Sequence, residues 1–395
     1  MNNIMVVDDV LFNRKLIIAI LKKTVSNLKI FEAEGGRKAL EILYKNDIDL
    51  IILDLMMPEM DGFEFLEIIK KDGKYNLIPI IINSAMNETD SIKKALSLGA
   101  HDFFEKPLKT EEIDFILPLK VNNALKVYKQ TKEIMTFNEK INRELHLASF
   151  FQKNIINNQK KLKNVNFKGL YIPSFELGGD FYDCIEINEA TWFIIADVSG
   201  HGITASIISS MIKVLFANYA EENKKPSEVL KKMNDFMESN FNSSEMFSFT
   251  AFIGKIEKNQ LTFSNAGHPF PILYRREQNE FEVLTKKGFL AGILKDVFFE
   301  DTNIMFNKND MIFMYTDGFF DNFEIFSNSL KCNLEIFLNH AKILFENFKN
   351  ENELIENINK YILENFSKNK IKDKIIKDDI SIIIIKNCFE EAEQN

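Results

Sequence analysis

The 395-residue sequence has few cysteines and no long apolar run. Its three cysteines, Cys184, Cys332 and Cys388, are scattered without a C-x-x-C spacing, so we expect neither a disulfide framework nor a zinc site. No stretch approaches the roughly 18 apolar residues of a spanning helix, and the first residues lack the basic start and apolar run of a secretion signal. We therefore expect a cytoplasmic protein with no membrane partner.

An excess of basic residues is also missing, because 58 acidic side chains outnumber 49 basic ones and the net charge is -9. Binding to a nucleic-acid backbone needs clustered lysine and arginine, so we expect no nucleic-acid partner. With only 15 glycines and 8 prolines but 46% hydrophobic residues, the composition is that of packed globular domains. The length corresponds to about two or three domains.

The first 120 or so residues alternate between apolar runs and helical periodicity. Runs at 4–7, 48–53 and 78–82 are short and rich in β-branched residues, and the segments between them repeat apolar residues at helical spacing. This alternation predicts an α/β domain built on a doubly wound parallel sheet. Ligands of such sheets bind at the carboxyl ends of the strands.

Charged and polar residues stand at those strand ends. Asp8 and Asp9 close the first strand, Asp54 closes the third, Ser84 follows the fourth and Lys106 follows the fifth. Three converging carboxylates would repel one another unless a cation lay between them. Oxygen ligands with room for water favour Mg²⁺, so the sequence predicts a magnesium site there.

Four segments resemble the receiver domain of two-component response regulators. They are Asp8-Asp9, the D-L-M-M-P-E-M-D-G run from Asp54, Ser84-Ala85, and the G-A-H-D-F-F-E-K-P run from Gly99. The resemblance implies a flavodoxin-like fold over residues 1–118 and a sensor histidine kinase as partner.

The same resemblance assigns roles to single residues. Asp54 would accept the phosphoryl group, and Asp8 and Asp9 would hold Mg²⁺ together with it. Lys106 would pair with the phosphoryl oxygens. A receiver switch would consist of Ser84, which hydrogen-bonds the phosphoryl group, and Phe103, whose rotamer follows Ser84.

A linker at residues 119–160 is predicted to be one long helix, because no glycine or proline occurs between Leu119 and Ile156. Apolar residues recur there at three- and four-residue steps from Ile134 to Ile155. This stripe is typical of a coiled coil, and we expect a homodimer through it. The alternative is an ordinary amphipathic helix packed on its own domain.

The remaining domain, 161–388, shows the alternation of β-strands. Runs at 167–172, 181–187, 191–198, 247–256, 260–265, 270–274, 311–315 and 380–385 predict strands, and helical blocks lie at 203–220, 227–241 and 334–366. Short strands with helices beside them predict an α+β layered β-sandwich.

Aspartates stand beside glycines at several of these strand ends. The segments are Gly178-Gly179-Asp180, Asp197-Val198-Ser199-Gly200, Thr316-Asp317-Gly318 and Asp378-Asp379. Each alone is an ordinary turn signal. Together they supply enough carboxylates for two hard cations about 3.5–4 Å apart, which could polarise one bridging water.

With the S-N-A-G-H-P run from Ser264, these segments resemble the metal-dependent Ser/Thr protein phosphatases, in the branch of the sporulation stage II E and sigma-regulator phosphatases. The resemblance implies two Mn²⁺ or Mg²⁺ ions. It implies that Asp197 bridges both ions, that the Val198 carbonyl and the water shell of Asp180 belong to one, and that Asp317 and Asp378 complete the other. Whether Asp378 or Asp379 ligates stays open, and we expect Asp378.

The two resemblances together imply a response regulator whose output is a phosphoserine or phosphothreonine phosphatase. Hydrolysis would be direct, by a metal-activated water, with Asp180, Asp197, Asp317 and Asp378 as the catalytic acids. The implied substrate is a phosphorylated anti-anti-sigma-type protein, with control by phosphorylation of Asp54. One alternative is an adaptor that binds a partner through an inactive phosphatase-like domain. Another is a phosphatase that uses the receiver only to dimerise.

Overall fold

The computed structural model describes residues 1–85, 89–106, 115–156, 162–241, 247–321, 353, 355–357, 359–360 and 378–390. The chain divides into two compact units, Met1–Asn142 and Arg143–Asn395, and each is described by itself. The division falls inside a long helix, and the limits 118 and 160 expected for the linker stay predictions. Within the described part of the chain, no helix is long and apolar enough to cross a bilayer.

The first unit contains a five-stranded parallel sheet. Its strands are β1 (Asn2–Val7), β2 (Leu28–Ala33), β3 (Leu50–Asp54), β4 (Ile80–Ala85) and β5 (Asp102–Lys106). Their spatial order is β2-β1-β3-β4-β5, which is the flavodoxin-like order. The predicted doubly wound sheet is therefore confirmed.

Helices cover both faces of this sheet. They are α1 (Leu11–Thr24), α2 (Gly36–Lys45), α3 (Gly62–Lys71), α4 (Thr89–Ser97) and the start of α5 (Leu117–Ile156). Alternate residues of β1 point into different cores: Ile4 and Val6 pack with α1 and α5, whereas Met5 and Val7 pack with α2 and α3. A strand covered on both faces needs a continuous apolar run, which explains the sequence of β1.

Helix α5 is 40 residues long, and it confirms the prediction of one long helix in the linker. Leu117, Val121 and Ala124 are buried in the first unit. Every residue from 132 to 144 is exposed, and Ser149, Gln152 and Ile156 are buried again.

The second unit is a sandwich of two five-stranded sheets. One sheet has the order β13-β10-β9-β8-β7, with β7 (Phe181–Ile187), β8 (Ala190–Val198), β9 (Phe249–Glu257), β10 (Gln260–Ala266) and β13 (Thr302–Met305). The other has the order β12-β11-β14-β15-β6, with β6 (Val165–Ile172), β11 (Ile272–Arg275), β12 (Glu280–Val283), β14 (Met311–Tyr315) and β15 (Ile380–Asn387). Neighbouring strands are antiparallel.

One apolar core joins the two sheets and two helices, α6 (Ile203–Tyr219) and α7 (Pro226–Phe241). Ile194 of the first sheet, Ile383 of the second and Ile212 of α6 belong to the same cluster. The predicted layered sandwich is thus confirmed. A short helix, α8 (Gly318–Asp321), follows β14, and nearly all of the helical block expected at 334–366 lies outside the described residues.

A buried histidine occupies the crossover between the two sheets. His268 follows β10 of one sheet and precedes β11 of the other, so it does not lie in a hairpin. Its backbone N–H donates to Asn265 Oδ1 at 2.7 Å, and its Nδ1 lies 2.8 Å from Thr250 Oγ1. Burial lowers the pKa of His268 to about 3, so the ring stays neutral in the folded protein.

Gly62→Ala should destabilise the first unit. A β-carbon at Gly62 would lie 2.3 Å from the carbonyl oxygen of Asp54, and neither backbone can move cheaply. We expect a loss of about 1–3 kcal/mol, measured by hydrogen exchange of the β3 and β4 amides in the full chain. Gly73→Ala is the matched control, because nothing lies within 4 Å of its β-carbon position. Equal exchange in both variants would contradict the crowding at Gly62.

His268→Asn should change how stability depends on pH. Below the ordinary histidine pKa of 6.5 the unfolded chain takes up a proton that folded His268, with its pKa of about 3, refuses. The wild type should be the more stable protein at neutral pH, and its advantage should shrink by up to about 1.4 kcal/mol per unit from about pH 6 to pH 4. Urea melts at several pH values measure the difference, in which the shared carboxylates cancel. A constant advantage would mean that His268 takes up its proton at the same pH in the folded and the unfolded chain.

Candidate functional site

Acidic residues meet at the carboxyl edge of the parallel sheet, where β1 and β3 end. One oxygen from each of Asp8, Asp9 and Asp54 falls within 4.8 Å of the others. Lys106, the last residue of β5, places its Nζ 2.6 Å from Asp54 Oδ2 and 2.9 Å from Asp8 Oδ2. The structure thus brings together four of the residues that the sequence singled out.

Burial and the lysine act in opposite directions on Asp54. Burial raises the pKa of Asp54, whereas the hydrogen bond and charge of Lys106 lower it, and the net shift is upward. Burial would lower the pKa of Lys106, but its contacts with Asp54 and Asp8 outweigh that and raise it. One cation therefore faces three carboxylates, and the surplus negative charge on hard oxygen donors fits Mg²⁺.

The loop that carries Asp8 is held by hydrogen bonds from a residue to which the sequence assigned no role. Arg14 of α1 is buried and donates to the carbonyl oxygens of Asp8, at 2.6 Å, and Asp9, at 3.2 Å. Asp8 Oδ1 accepts from the Val10 N–H at 2.8 Å. A charged residue at a core-facing position of α1 was the available signal for this role.

The two residues of the predicted receiver switch lie on neighbouring strands. Ser84 of β4 pairs with Glu105 of β5 through the backbone, and the side chain of Ser84 lies outside the described residues. Phe103 of β5 is half-buried, with the Lys120 Nζ of α5 5.2 Å from its ring centre. The same Lys120 pairs with Asp102 at 2.6 Å, so α5 contacts the strand that carries Phe103.

The second group of acids gathers at the ends of strands from both sheets of the sandwich. Asp180 precedes β7 and Asp197 lies near the end of β8, whereas Asp317 follows β14 and Asp378 precedes β15. A threonine hydroxyl links the two sheets there: Thr316 Oγ1 donates to Asp180 Oδ2 at 2.7 Å and accepts from the Ser381 N–H at 2.9 Å.

These carboxylates raise one another's pKa. Asp180 is fully buried, and burial, followed by the charges of Asp197 and Asp379, raises its pKa well above the ordinary value. Burial also raises the pKa of Asp197 to about 8, with further contributions from Asp317 and Asp378. Mutual repulsion of this size indicates a site that suits divalent cations.

The geometry distinguishes the adjacent aspartates 378 and 379. Asp379 is buried, and its oxygens accept from Ser174 N–H at 2.6 Å, Ser174 Oγ at 2.8 Å and Gly179 N–H at 2.6 Å. Asp378 is only partly buried. Because the oxygens of Asp379 already hold the Gly179 loop in place, Asp378 is the better candidate for a ligand, as the sequence analysis expected.

Glycine is required where backbone segments come close together around the acids of the sandwich. A β-carbon at Gly179 would lie 2.9 Å from the Val198 carbonyl oxygen, and one at Gly318 would lie 2.0 Å from the Asp379 carbonyl oxygen. The Val198 carbonyl thus faces the loop that leads to Asp180. Carboxylates with a backbone carbonyl form the oxygen donor set that Mn²⁺ and Mg²⁺ accept.

The group of acids in the sandwich is less compact than the group at the edge of the parallel sheet. Among the residues that the structure describes, the Asp8, Asp9 and Asp54 group is the set of three acids whose oxygens all lie within 4.8 Å. Within the group in the sandwich, Asp197 is in hydrogen-bond contact with Asp180, and the charges of Asp317 and Asp378 act on it as well. Asp317 is exposed.

Family comparisons match both units. The sequence profile described as Stage II sporulation protein E (SpoIIE) matches residues 188–387, about half of the chain. The profile described as Response regulator receiver domain matches residues 4–117.

Individual relatives point the same way. Phosphoserine phosphatase RsbU of Bacillus subtilis (strain 168) is 27% identical over 207 residues, which are 52% of this chain and 62% of RsbU. Two-component response regulator ARR17 of Arabidopsis thaliana is 37% identical over 124 residues, 28% of this chain and 80% of ARR17. The SiaA-PP2C domain of Pseudomonas aeruginosa shares the fold with a TM-score of 0.51 and 18% identity, over 63% of this chain and 98% of that domain. The chain belongs to the stage II sporulation protein E family and carries a response-regulator receiver domain ahead of its family region.

Proposed function

We propose that this protein is a response regulator whose output is a metal-dependent phosphoserine or phosphothreonine protein phosphatase, switched by phosphorylation of Asp54. The observation that carries the phosphatase is the convergence of Asp180, Asp197, Asp317 and Asp378 from two sheets, with the pKa values of Asp180 and Asp197 raised by burial and by the neighbouring charges. Buried acids that repel one another persist in a fold when they have a function there. The similarity to RsbU, which is named a phosphoserine phosphatase, supports the substrate class.

The residues of the sandwich act mainly by positioning oxygens. Thr316 fixes one oxygen of Asp180 through its hydrogen bond, and Asp379 fixes the Gly179 backbone. Asp197 interacts electrostatically with Asp180, Asp317 and Asp378 and is the candidate bridging ligand. Two bound Mn²⁺ or Mg²⁺ ions would lower the pKa of a water and neutralise the phosphoryl oxygens. The four acids have to stay ionised and convergent for the ions to bind.

In the receiver, Asp54 is the proposed phosphoacceptor and a sensor histidine kinase the proposed donor. The Asp54 carboxylate is buried and pairs with Lys106, which also pairs with Asp8. Mg²⁺ held by Asp8, Asp9 and Asp54 would offset the nearly two added charges. Ser84 and Phe103 are the proposed switch, and Lys120 connects the Phe103 ring to α5.

The proposed substrate within this class is a phosphorylated anti-anti-sigma-type protein of a partner-switching pathway. Its support is the resemblance to the sigma-regulator phosphatases. The rival reading, an inactive phosphatase-like adaptor, would be favoured by loss of the metal-binding aspartates. Asp180, Asp197, Asp317 and Asp378 are all present in the sequence, so catalysis is the better-supported function.

A homodimer through α5 is the proposed assembly. Ile134, Phe137 and Ile141 recur on one stripe and are 59%, 63% and 40% exposed, in a stretch where every residue from 132 to 144 is exposed. A second copy of the same stripe would cover these side chains, as in a coiled coil.

Light scattering tests the dimer. Phe137→Ser with Ile141→Ser should shift the protein to a monomer at micromolar concentration, because both changes remove apolar surface from the stripe. Met135→Ser, also at an exposed residue but off the stripe, should leave the dimer intact. A monomeric wild type, or a double variant that stays dimeric, would contradict this assembly.

Phosphatase activity tests the proposed function directly. The full chain is incubated with Mn²⁺ and a phosphoserine-bearing anti-anti-sigma-type protein, with and without a small-molecule phosphodonor, and phosphate release is measured. Asp197→Asn should lower the rate by more than about 100-fold, since even residues behind metal ligands cost 10–100-fold. Asp235→Asn, a surface change of the same chemistry, should have no effect.

Asp54→Asn separates control from catalysis. Phosphodonor treatment should change the rate of the wild type and leave that of Asp54→Asn unchanged. A wild type that ignores the phosphodonor would favour a receiver that only dimerises. A wild type that releases no phosphate with Mn²⁺ would favour the adaptor.

A further inference from the structure

Four large apolar side chains are exposed on the 286–300 loop, which lies between β12 and β13. They are Phe289, Leu290, Leu294 and Phe298, and the two phenylalanines are 70% and 77% exposed. Ala291 of the same loop is buried, so the loop contributes to the core and still leaves these four side chains outside it. Exposed apolar side chains that cluster in this way are typical of an interaction surface.

Buried amide side chains hold the backbone of this loop in place. Asn265 Nδ2 donates to the Lys286 carbonyl oxygen at 3.0 Å. Asn234 Oδ1 accepts from the Gly292 N–H at 2.9 Å, and its Nδ2 donates to the Leu294 carbonyl oxygen at 3.0 Å. Both asparagines are buried. The apolar side chains thus project from a fixed backbone, and a partner would bind them without first having to order the loop.

The loop lies close to the strand that carries a central acid of the phosphatase site. Ala291 and Phe249 of β9 exchange two backbone hydrogen bonds, each of 3.0 Å. Phe249 in turn pairs with Val198 of β8, the residue directly after Asp197. Because neighbouring strands lie about 4.8 Å apart, the backbone of Ala291 is roughly 10 Å from that of Val198.

A cavity of about 640 Å³ opens along the loop. Three apolar and three basic side chains are prominent in its lining, namely Phe289, Leu294, Phe298, Lys286, Lys287 and Lys295. Lys286 pairs with Glu300, Lys295 lies 3.9 Å from Glu238, and Asp296 lies 4.0 Å from Lys231. Lys287 makes no ion pair with the residues that the structure describes, so it adds a positive charge that no neighbouring acid offsets.

A protein that presented a phosphoserine to the acids of the sandwich would cover this loop. A specific interface between two proteins buries roughly 800 Å² on each partner, which corresponds to a patch of about 16 Å radius. The separation of roughly 10 Å between Ala291 and Val198 falls inside such a patch. A small phosphate ester at the same acids would not extend to the exposed phenylalanines.

We propose that the exposed face of the 286–300 loop is the docking surface for a folded phosphoserine protein substrate. Phe289 and Phe298 are its apolar anchors, and Lys287 pairs with an acidic side chain of the substrate. Aromatic side chains of this kind contribute most of the binding free energy in many interfaces. The proposal rests on the proposed function, because it assigns the surface by which the same site selects its substrate.

Steady-state kinetics on two substrates test the docking surface. The full chain is assayed with Mn²⁺ on a folded phosphoserine-bearing anti-anti-sigma-type protein and on p-nitrophenyl phosphate. Phe289→Ser with Phe298→Ser should raise the KM for the protein about 10-fold or more and leave its kcat unchanged. The rate on p-nitrophenyl phosphate should match the wild type, because this ester does not contact the loop. Met305→Ser is the matched control, since Met305 is 59% exposed and lies on β13 outside the cavity.

A charge reversal keeps the test decisive if the double variant fails to fold. Lys287→Glu should raise the KM for the protein several-fold at low salt, because it replaces an attraction to the acidic side chain with a repulsion. Added salt screens both interactions. It should therefore raise the KM of the wild type and lower that of Lys287→Glu. A KM equal to that of the wild type in the variants that fold would overturn the docking surface.

The wild-type result separates this proposal from the proposed function. A wild type that hydrolyses p-nitrophenyl phosphate but not the phosphoprotein would refute the docking surface and leave the metal-dependent chemistry intact. A wild type that hydrolyses neither would refute the phosphatase itself. Light scattering tests a second copy of the chain as the occupant. Loss of a dimer in the double variant with an unchanged KM would assign the loop to a homodimer and refute substrate docking.

Discussion

Repulsion between carboxylates that the fold forces together is the constraint on which both units depend. In the parallel sheet the acids meet because β1 and β3 end at the same edge, and Lys106 from β5 offsets part of their charge. In the sandwich they meet because strands of two different sheets end in one place, and the pKa of Asp197 rises to about 8. The first site is compact and includes a lysine that pairs with its acids. The second is less compact, and hydroxyl and backbone N–H groups donate hydrogen bonds to its acids.

The two sites differ in how their supporting residues are arranged. Asp8 is fixed partly by nearby sequence, through Val10 and Arg14, and partly by Lys106, which lies 98 positions away. Asp180 and Asp379 are fixed by partners more than 100 positions away, Thr316 and Gly179. The acids of the sandwich therefore come together only when strands of both sheets are in place.

Much of this architecture was readable from the sequence because buried strands leave continuous apolar runs, as in β1 and β8. The strands that were missed, β2, β12 and β13, all lie at sheet edges, are half-exposed and span only four to six residues, so they leave no long apolar run in the sequence. The acids of both sites were visible at the ends of predicted strands. Arg14 was missed although its hydrogen bonds are local, because one charged residue in a helical pattern does not show what it contacts. Thr316 and Gln152 were not assigned roles, because their hydrogen bonds reach residues 136 and 26 positions away, which spacing along the chain does not reveal.

The hydroxyl of Thr316 helps to hold the sandwich together before any ion binds. The hydroxyl donates its hydrogen to Asp180 and accepts a hydrogen bond from the Ser381 N–H. It therefore joins one sheet to the other at the point where the acids repel one another. Any ion that binds these acids only in the folded state increases the free energy of unfolding of the sandwich. If divalent cations bind these acids, their supply would also set how long the sandwich survives proteolysis.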